Sequence, residues 1–265
     1  MSQDIRFAAA QSRGGRSNQE DYCEVLADGE LFGAQQGHCA GRSASDLIAA
    51  LCDGMGGHNA GDVAAKTACN TFIAAFKSGA RGAAPASLAG ACRAANAALT
   101  AQMERTQSLT GMGTTLVAIR VTRGQLAWVS VGDSGLYLYR NGHIDRLNQD
   151  HSMRPVIKQM VVAGILAPDE ALHHPDRNAL RSALCGEDVP LVDIGEPPMK
   201  LKRGDILVLA SDGMETLPRS RIETILGSRV FRSPSAMARR IVAECVKAGG
   251  RGQDNTTVAV IRVKK

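Results

Sequence analysis

Residues 47–62 read LIAALCDGMGGHNAGD. A six-residue apolar run stops at Asp53, and four glycines fall within the next eight positions. A short apolar run bounded by glycine reads as a buried strand. This one leads into a bare carboxylate with little side chain around it. The same device recurs. WVSVG leads to Asp133 and ILVLAS leads to Asp212. Asp254 in GQDN stands just before TTVAVIRV, and Glu20 and Asp21 precede the apolar YCEVL. Strand ends at one edge of a sheet converge, so these acids are expected to meet in space. Carboxylates brought together without partners repel one another and their pKa values rise. A divalent cation removes that repulsion, and an all-oxygen donor set selects magnesium, manganese or calcium over zinc or copper. Glycines 54, 56, 57 and 213 then let backbone and substrate approach closely. Taken singly each motif is weak, because Asp-Gly is above all a turn dipeptide. Their recurrence at strand ends carries the reading.

The 265 residues suit one large domain or two small ones, and apolar (44%) and charged (22%) fractions are ordinary globular values. Aromatics are only 3%, so Ala, Val, Leu and Ile must fill the core. A net charge of +5, from 31 basic and 26 acidic residues without a basic tract, gives no sign of nucleic acid as a partner. The seven cysteines show no CxxC pair, which fits reduced, mostly buried thiols in a cytoplasmic protein. MSQDIRFAAAQSRGGRS lacks a signal-peptide core, and no run reaches the ~20 apolar residues of a membrane span.

Strand-like runs lie at 115–121, 125–131, 135–140, 205–210 and 256–263. TRGQ (122–125) and RNGH (140–143) mark turns between them, the latter with the hairpin dipeptide Asn141-Gly142, so part of the sheet is antiparallel. Apolar spacing predicts helices over 60–77, 86–105, 153–163 and 234–248, the last opening on Ser233-Pro234 and stopping at Gly249-Gly250. The glycine-rich segment 28–46 reads as a surface insertion, 164–190 as irregular, and Trp128 as core. GMGTT (111–115) lacks the GxxxxGK[ST] pattern and is a poor phosphate cradle. The pattern as a whole gives α+β.

The ordered set RSNQED (16–21), DGMGGHNAGD (53–62), GMGTT (111–115), VGDS (131–134), DHS (150–152), ASDG (210–213) and QDNTTVAVIRV (253–263) resembles the bacterial PPM-type, or protein phosphatase 2C-like, metal-dependent phosphatases from about residue 6 to 263. The resemblance implies a four-layer α-β-β-α sandwich with two central antiparallel sheets. It implies a single catalytic domain over 1–265, with a variable flap at about 152–190. It also implies two Mn2+ or Mg2+ ions per subunit. By that resemblance Asp53 bridges the ions, the Gly54 carbonyl binds one of them, and Asp212 and Asp254 complete the second ion's ligands. Glu20 and Asp21 lie against the centre, and Asp133 with Asp212 holds a third, weaker ion. Arg16 matches the arginine that grips the substrate phosphate, and Asn255 supports the Asp254 loop. The implied activity is hydrolysis of phosphoserine and phosphothreonine by a metal-bridging hydroxide, without a phosphoenzyme. Substrates would be proteins phosphorylated by a bacterial Ser/Thr kinase, or that kinase, and the enzyme a cytoplasmic monomer.

The chain departs from the pattern in two places. Met55 stands where animal relatives carry a histidine proposed as general acid, with His58 three residues later in a structural role. Gly135 replaces the basic residue of GDSR. His151 reads as structural. A non-catalytic phosphatase-like binding module is the competing function, and such a module should have lost Asp53, Asp212 or Asp254, all present here.

Overall fold

A computed structural model describes residues 4–35, 37–43, 46–56, 60–78 and 87–264. His58 lies outside the described residues. In chain order the strands are β1 (Ile5–Ser12), β2 (Asp21–Ala27), β3 (Glu30–Gly33), β4 (His38–Ser43), β5 (Asp46–Met55), β6 (Gly113–Thr114), β7 (Leu116–Thr122), β8 (Gln125–Val131), β9 (Gly135–Arg140), β10 (His143–Arg146), β11 (Asp193–Lys200), β12 (Ile206–Ala210) and β13 (Thr256–Val263). The helices are α1 (Ala60–Ser78), α2 (Leu88–Arg105), α3 (Arg154–Val162), α4 (Pro168–Leu172), α5 (Arg219–Leu226) and α6 (Pro234–Gly249).

The strands form two antiparallel sheets. One has the order β10-β9-β12-β13-β1-β4. The other has the order β11-β8-β7-β5-β2-β3, with the short β6 beside β5. Side chains alternate faces along a strand, and the alternation builds the layers. Leu47, Ala49 and Leu51 of β5, with Cys23 and Val25 of β2, pack against Leu207, Leu209, Ala259 and Ile261 of the other sheet. The intervening Ile48, Ala50 and Cys52 face α1 and α2 through Ala64, Ala68, Phe72 and Leu99. On the far side, Ile206, Val208, Val258 and Val260 meet Ile222 of α5 and Met237, Ile241 and Cys245 of α6. The result is the α-β-β-α sandwich.

Segment 28–46 is a correction to the sequence reading. It is no surface loop. It supplies β3 and β4, which pair with β2 and β1 at the edges of different sheets. Both strands are short, four and six residues, and each lies at a sheet edge. Trp128 is partly buried against the inter-sheet core, with its indole N–H donating to Asp193 Oδ2 at 3.1 Å.

Leu51 is fully buried between the sheets, two residues from Asp53 on the same face of β5. Leu51→Ala should lower the free energy of unfolding by about 2–5 kcal/mol, read from urea denaturation with an unchanged slope.

Candidate active site

On two strands the inter-sheet face ends in an acid. Along β5 the inter-sheet face runs Leu47, Ala49, Leu51, Asp53; along β2 it runs from Asp21 through Cys23 and Val25. The register sets Asp21 directly opposite Asp53, so two carboxylates face each other at the end of an apolar layer. Neighbouring strands run in opposite directions. The N-termini of β2 and β13 and the C-termini of β5, β8 and β12 therefore share one edge, which brings in Glu20, Asp133, Asp212 and Asp254.

Electrostatics records this crowding. Burial first, then Asp254 and Glu20, push Asp21 up to about 6. Burial together with Asp133, Asp254 and Asp21 pushes Asp212 up to about 7. Burial, then Asp21 and Asp212, push Asp53 well above the carboxylate range. Glu20 also rises through burial, against the pull of Arg16.

The supporting groups come from distant segments. Ser211 Oγ, on the opposite sheet, donates to Asp21 Oδ2 at 2.7 Å and accepts from the Thr257 amide at 3.0 Å. The Asp53 amide donates to Thr115 Oγ1 at 3.0 Å, and the Thr115 amide and Thr114 hydroxyl donate to the Asp53 carbonyl, each at 2.9 Å. GMGTT is thus a brace for Asp53. Thr115 in turn meets Ser134 Oγ at 2.7 Å. Asn255 Oδ1 accepts from the Glu20 amide at 2.7 Å, and its Nδ2 donates to the carbonyls of Arg13 and Asn18, each at 2.9 Å. This one side chain fastens the Arg16 segment to the Asp254 loop. The turn bearing Asp212 also touches the Asp254 loop through Gly213, where a Cβ would lie 2.1 Å from the Asn255 carbonyl oxygen.

Arg16 reaches the cluster. Its side chain is 58% exposed and Nη2 pairs with Asp254 Oδ2. Asp133 Oδ2 accepts from Arg154 Nη2 at 2.8 Å. Among the described residues no three Asp, Glu, His or Cys side chains close into a metal cage, and these arginines hold two of the acids. The donor chemistry nevertheless fits hard divalent ions at Asp53, Asp21 and Asp212. Every side-chain donor is oxygen, and Asp21 Oδ1 is buried without a hydrogen-bond partner. A cation beside the raised carboxylates would favour their ionised form. His151, by contrast, is buried, accepts from the Gly132 amide at 3.3 Å, and is a structural residue. At Gly135 the ring of Tyr137 covers the position a side chain would take, its nearest atom 2.3 Å from a Cβ built there. Basic groups arrive from elsewhere: Arg146 Nη2 donates to the Asp133 carbonyl at 2.7 Å.

Sequence reasoning missed Ser211, Thr115 and Arg154. Ser211 directly precedes Asp212 and Arg154 stands two places after DHS, but nothing beside Asp53 pointed to Thr115.

Two stacked antiparallel sheets with an acid-lined edge define the class of metal-dependent phosphatase sandwiches. The chain belongs to the protein phosphatase 2C family, whose model matches residues 35–242. It is 34% identical over 263 residues to the serine/threonine protein phosphatase PstP of Mycobacterium tuberculosis, covering 98% of this chain and 45% of that protein. It therefore spans less than half the length of that relative. It is 32% identical over 219 residues to the serine/threonine phosphatase stp of Listeria monocytogenes, covering 81% of this chain and 83% of the relative. A crystal structure of the PstP catalytic domain in complex with two manganese ions superposes with a TM-score of 0.74 at 30% identity, covering each chain completely.

Asn255→Ala removes three hydrogen bonds from a side chain that is 5% exposed. It should cost about 1–3 kcal/mol in urea unfolding. Amide exchange should quicken over residues 13–20 while β7 and β8 stay protected.

Proposed function

We propose that this chain is a metal-dependent phosphoserine/phosphothreonine protein phosphatase acting on targets of a bacterial Ser/Thr kinase or on the kinase itself. The observation that carries the reading is the Asp21–Asp53 pair, opposed on the inter-sheet face and flanked by Asp212 and Asp254. Asp53 and the Gly54 carbonyl, with Asp212 and Asp254, would hold two Mn2+ or Mg2+ ions, and Glu20 and Asp21 would lie against them. When bound, such ions supply Lewis acidity toward phosphoryl oxygens and acidify water.

The chain's own residues supply position and charge. Ser211 holds one oxygen of Asp21, leaving the other free. Thr114 and Thr115 fix the backbone of Asp53. Arg16, exposed and planar, can exchange Asp254 for a phosphoryl group and offer it two parallel donors. Cysteine chemistry is not favoured, because burial raises the thiols of Cys23, Cys39, Cys69, Cys92 and Cys245. The cysteines are all unbridged, which supports a reducing, cytoplasmic setting. Among the described residues no helix is long and apolar enough to cross a membrane.

Hydrolysis of p-nitrophenyl phosphate and of phosphothreonine peptides should require manganese or magnesium, stop in EDTA, and survive thiol alkylation. Full activity in EDTA would refute the reading. Manganese at about 100-fold over its Kd should raise Tm by about 5–10 °C. Asp212→Ala and Asp254→Ala should each remove most turnover while circular dichroism stays native.

Arg16→Ala should lower kcat/KM by about 1.5–3 kcal/mol, roughly 10- to 150-fold. Manganese affinity in calorimetry should hold or rise, since the guanidinium competes for Asp254. Arg16→Lys should recover only part of the loss. Weakened metal binding in Arg16→Ala with unchanged substrate kinetics would show that Arg16 serves the metal and not the substrate.

A further inference from the structure

Arg154 is the first residue of α3, where the flap begins, and its side chain is only 16% exposed. Every guanidinium nitrogen is engaged. Nη2 donates to Asp133 Oδ2 at 2.8 Å, Nη1 to Glu215, and Nε to Ser152 Oγ at 3.0 Å with Asp150 Oδ2 at 3.5 Å. Burial works against its charge, but Glu215, Asp150, Asp133 and Asp212 outweigh it and hold the group protonated. Arg146 stands behind it, 3.5 Å from Asp150 and 3.8 Å from Glu215.

This is the place where the family resemblance sets a third ion, between Asp133 and Asp212. The residues here do not fit one. Asp133 is 5% exposed, and one of its two oxygens is taken by a guanidinium that three acids hold in place. A divalent ion at Asp133 would have to displace Arg154 from Asp133 or sit against its charge in a partly buried site, where like charges repel strongly. Moving the arginine would break its contacts with Glu215, Asp150 and Ser152 and expose a side chain that is 16% exposed in place.

We propose that Arg154 is a built-in cation that takes the place of the third ion, so that this chain binds two ions. The arginine ties the start of the flap to Asp133 and to the Asp212–Thr216 turn that carries both Asp212 and Glu215. It is a positioning residue. A fixed covalent charge does the neutralising that a weakly held ion would otherwise do, and it cannot dissociate at low metal concentration.

The proposal rests on the metal-dependent reading, and the experiment separates the two. Manganese bound at equilibrium is counted by dialysis and elemental analysis at 0.01 to 10 mM free ion, for wild type, Arg154→Ala and Arg154→Lys. These variants are checked by circular dichroism. Two ions in wild type and a third, weaker ion in Arg154→Ala are expected, with Arg154→Lys remaining at two. A third ion in wild type overturns the proposal and leaves the phosphatase reading intact. So do two ions in both wild type and folded Arg154→Ala, because the guanidinium would then not be what excludes the third. Fewer than two ions in wild type overturns the metal-dependent reading and the proposal together. If Arg154→Ala does not fold, Arg154→Gln takes its place in the count.

Discussion

Asp21 and Asp53 face each other across β2 and β5. Like charges in directly opposed positions destabilise a sheet, and here they sit at the end of an apolar layer between two sheets. The chain has not relieved the conflict by replacing either acid. Around the pair it has placed small hydroxyl side chains from other segments, Ser211 on one acid and Thr114 and Thr115 on the backbone of the other. Those groups fix where the carboxylates point while leaving Asp21 Oδ1 unpartnered. A pair held this way is unfavourable as it stands and favourable around a cation. Much of the surrounding structure follows from keeping that geometry.

Positive charge reaches the acids in two forms that differ in burial. Arg16 is largely exposed, on a loop, and touches a single acid. An exposed pair of this kind is worth at most about 1 kcal/mol, so it breaks at little cost. Arg154 is only 16% exposed and bridges three carboxylates. Removing one member of such a network leaves buried charges uncompensated, which makes it a fixture. The weak contact on a loop and the strong one at the start of α3 divide exchangeable from permanent charge.

How much of this was legible depended on sequence distance. α1, α2, α3 and α6 follow from apolar spacing and, for α6, from the Ser233 cap, whose Oγ accepts from the Ala236 amide. β7, β8, β9, β12 and β13 were readable as apolar runs, and the acids stood out because they interrupt or flank such runs. β3 and β4 were not legible: runs of four and six residues interrupted by glycine are too short to carry a period, and they are strands because a partner edge lies beside them. The stacking of two sheets came from resemblance to a known family and not from periodicity. The braces of the site were hidden for the same reason, since Thr115 acts 62 positions from Asp53 and Ser211 acts 190 positions from Asp21.

What joins these parts is backbone contact. Gly54 and Gly213 do not have positive φ, so the backbone conformation does not demand glycine there. Space does. A Cβ on Gly54 would lie 2.0 Å from the Gly61 carbonyl oxygen, and one on Gly213 would meet the carbonyl of Asn255. The turn bearing Asp212 therefore rests directly on the loop bearing Asp254, and Asn255 in that loop grips the segment bearing Glu20 and Arg16. Neighbours so close-packed yield little before they clash. The groups proposed for metal and the arginine proposed for phosphate therefore form one stiff unit. That stiffness is what a reaction needs when its catalytic power comes from holding charge and substrate in a fixed relation.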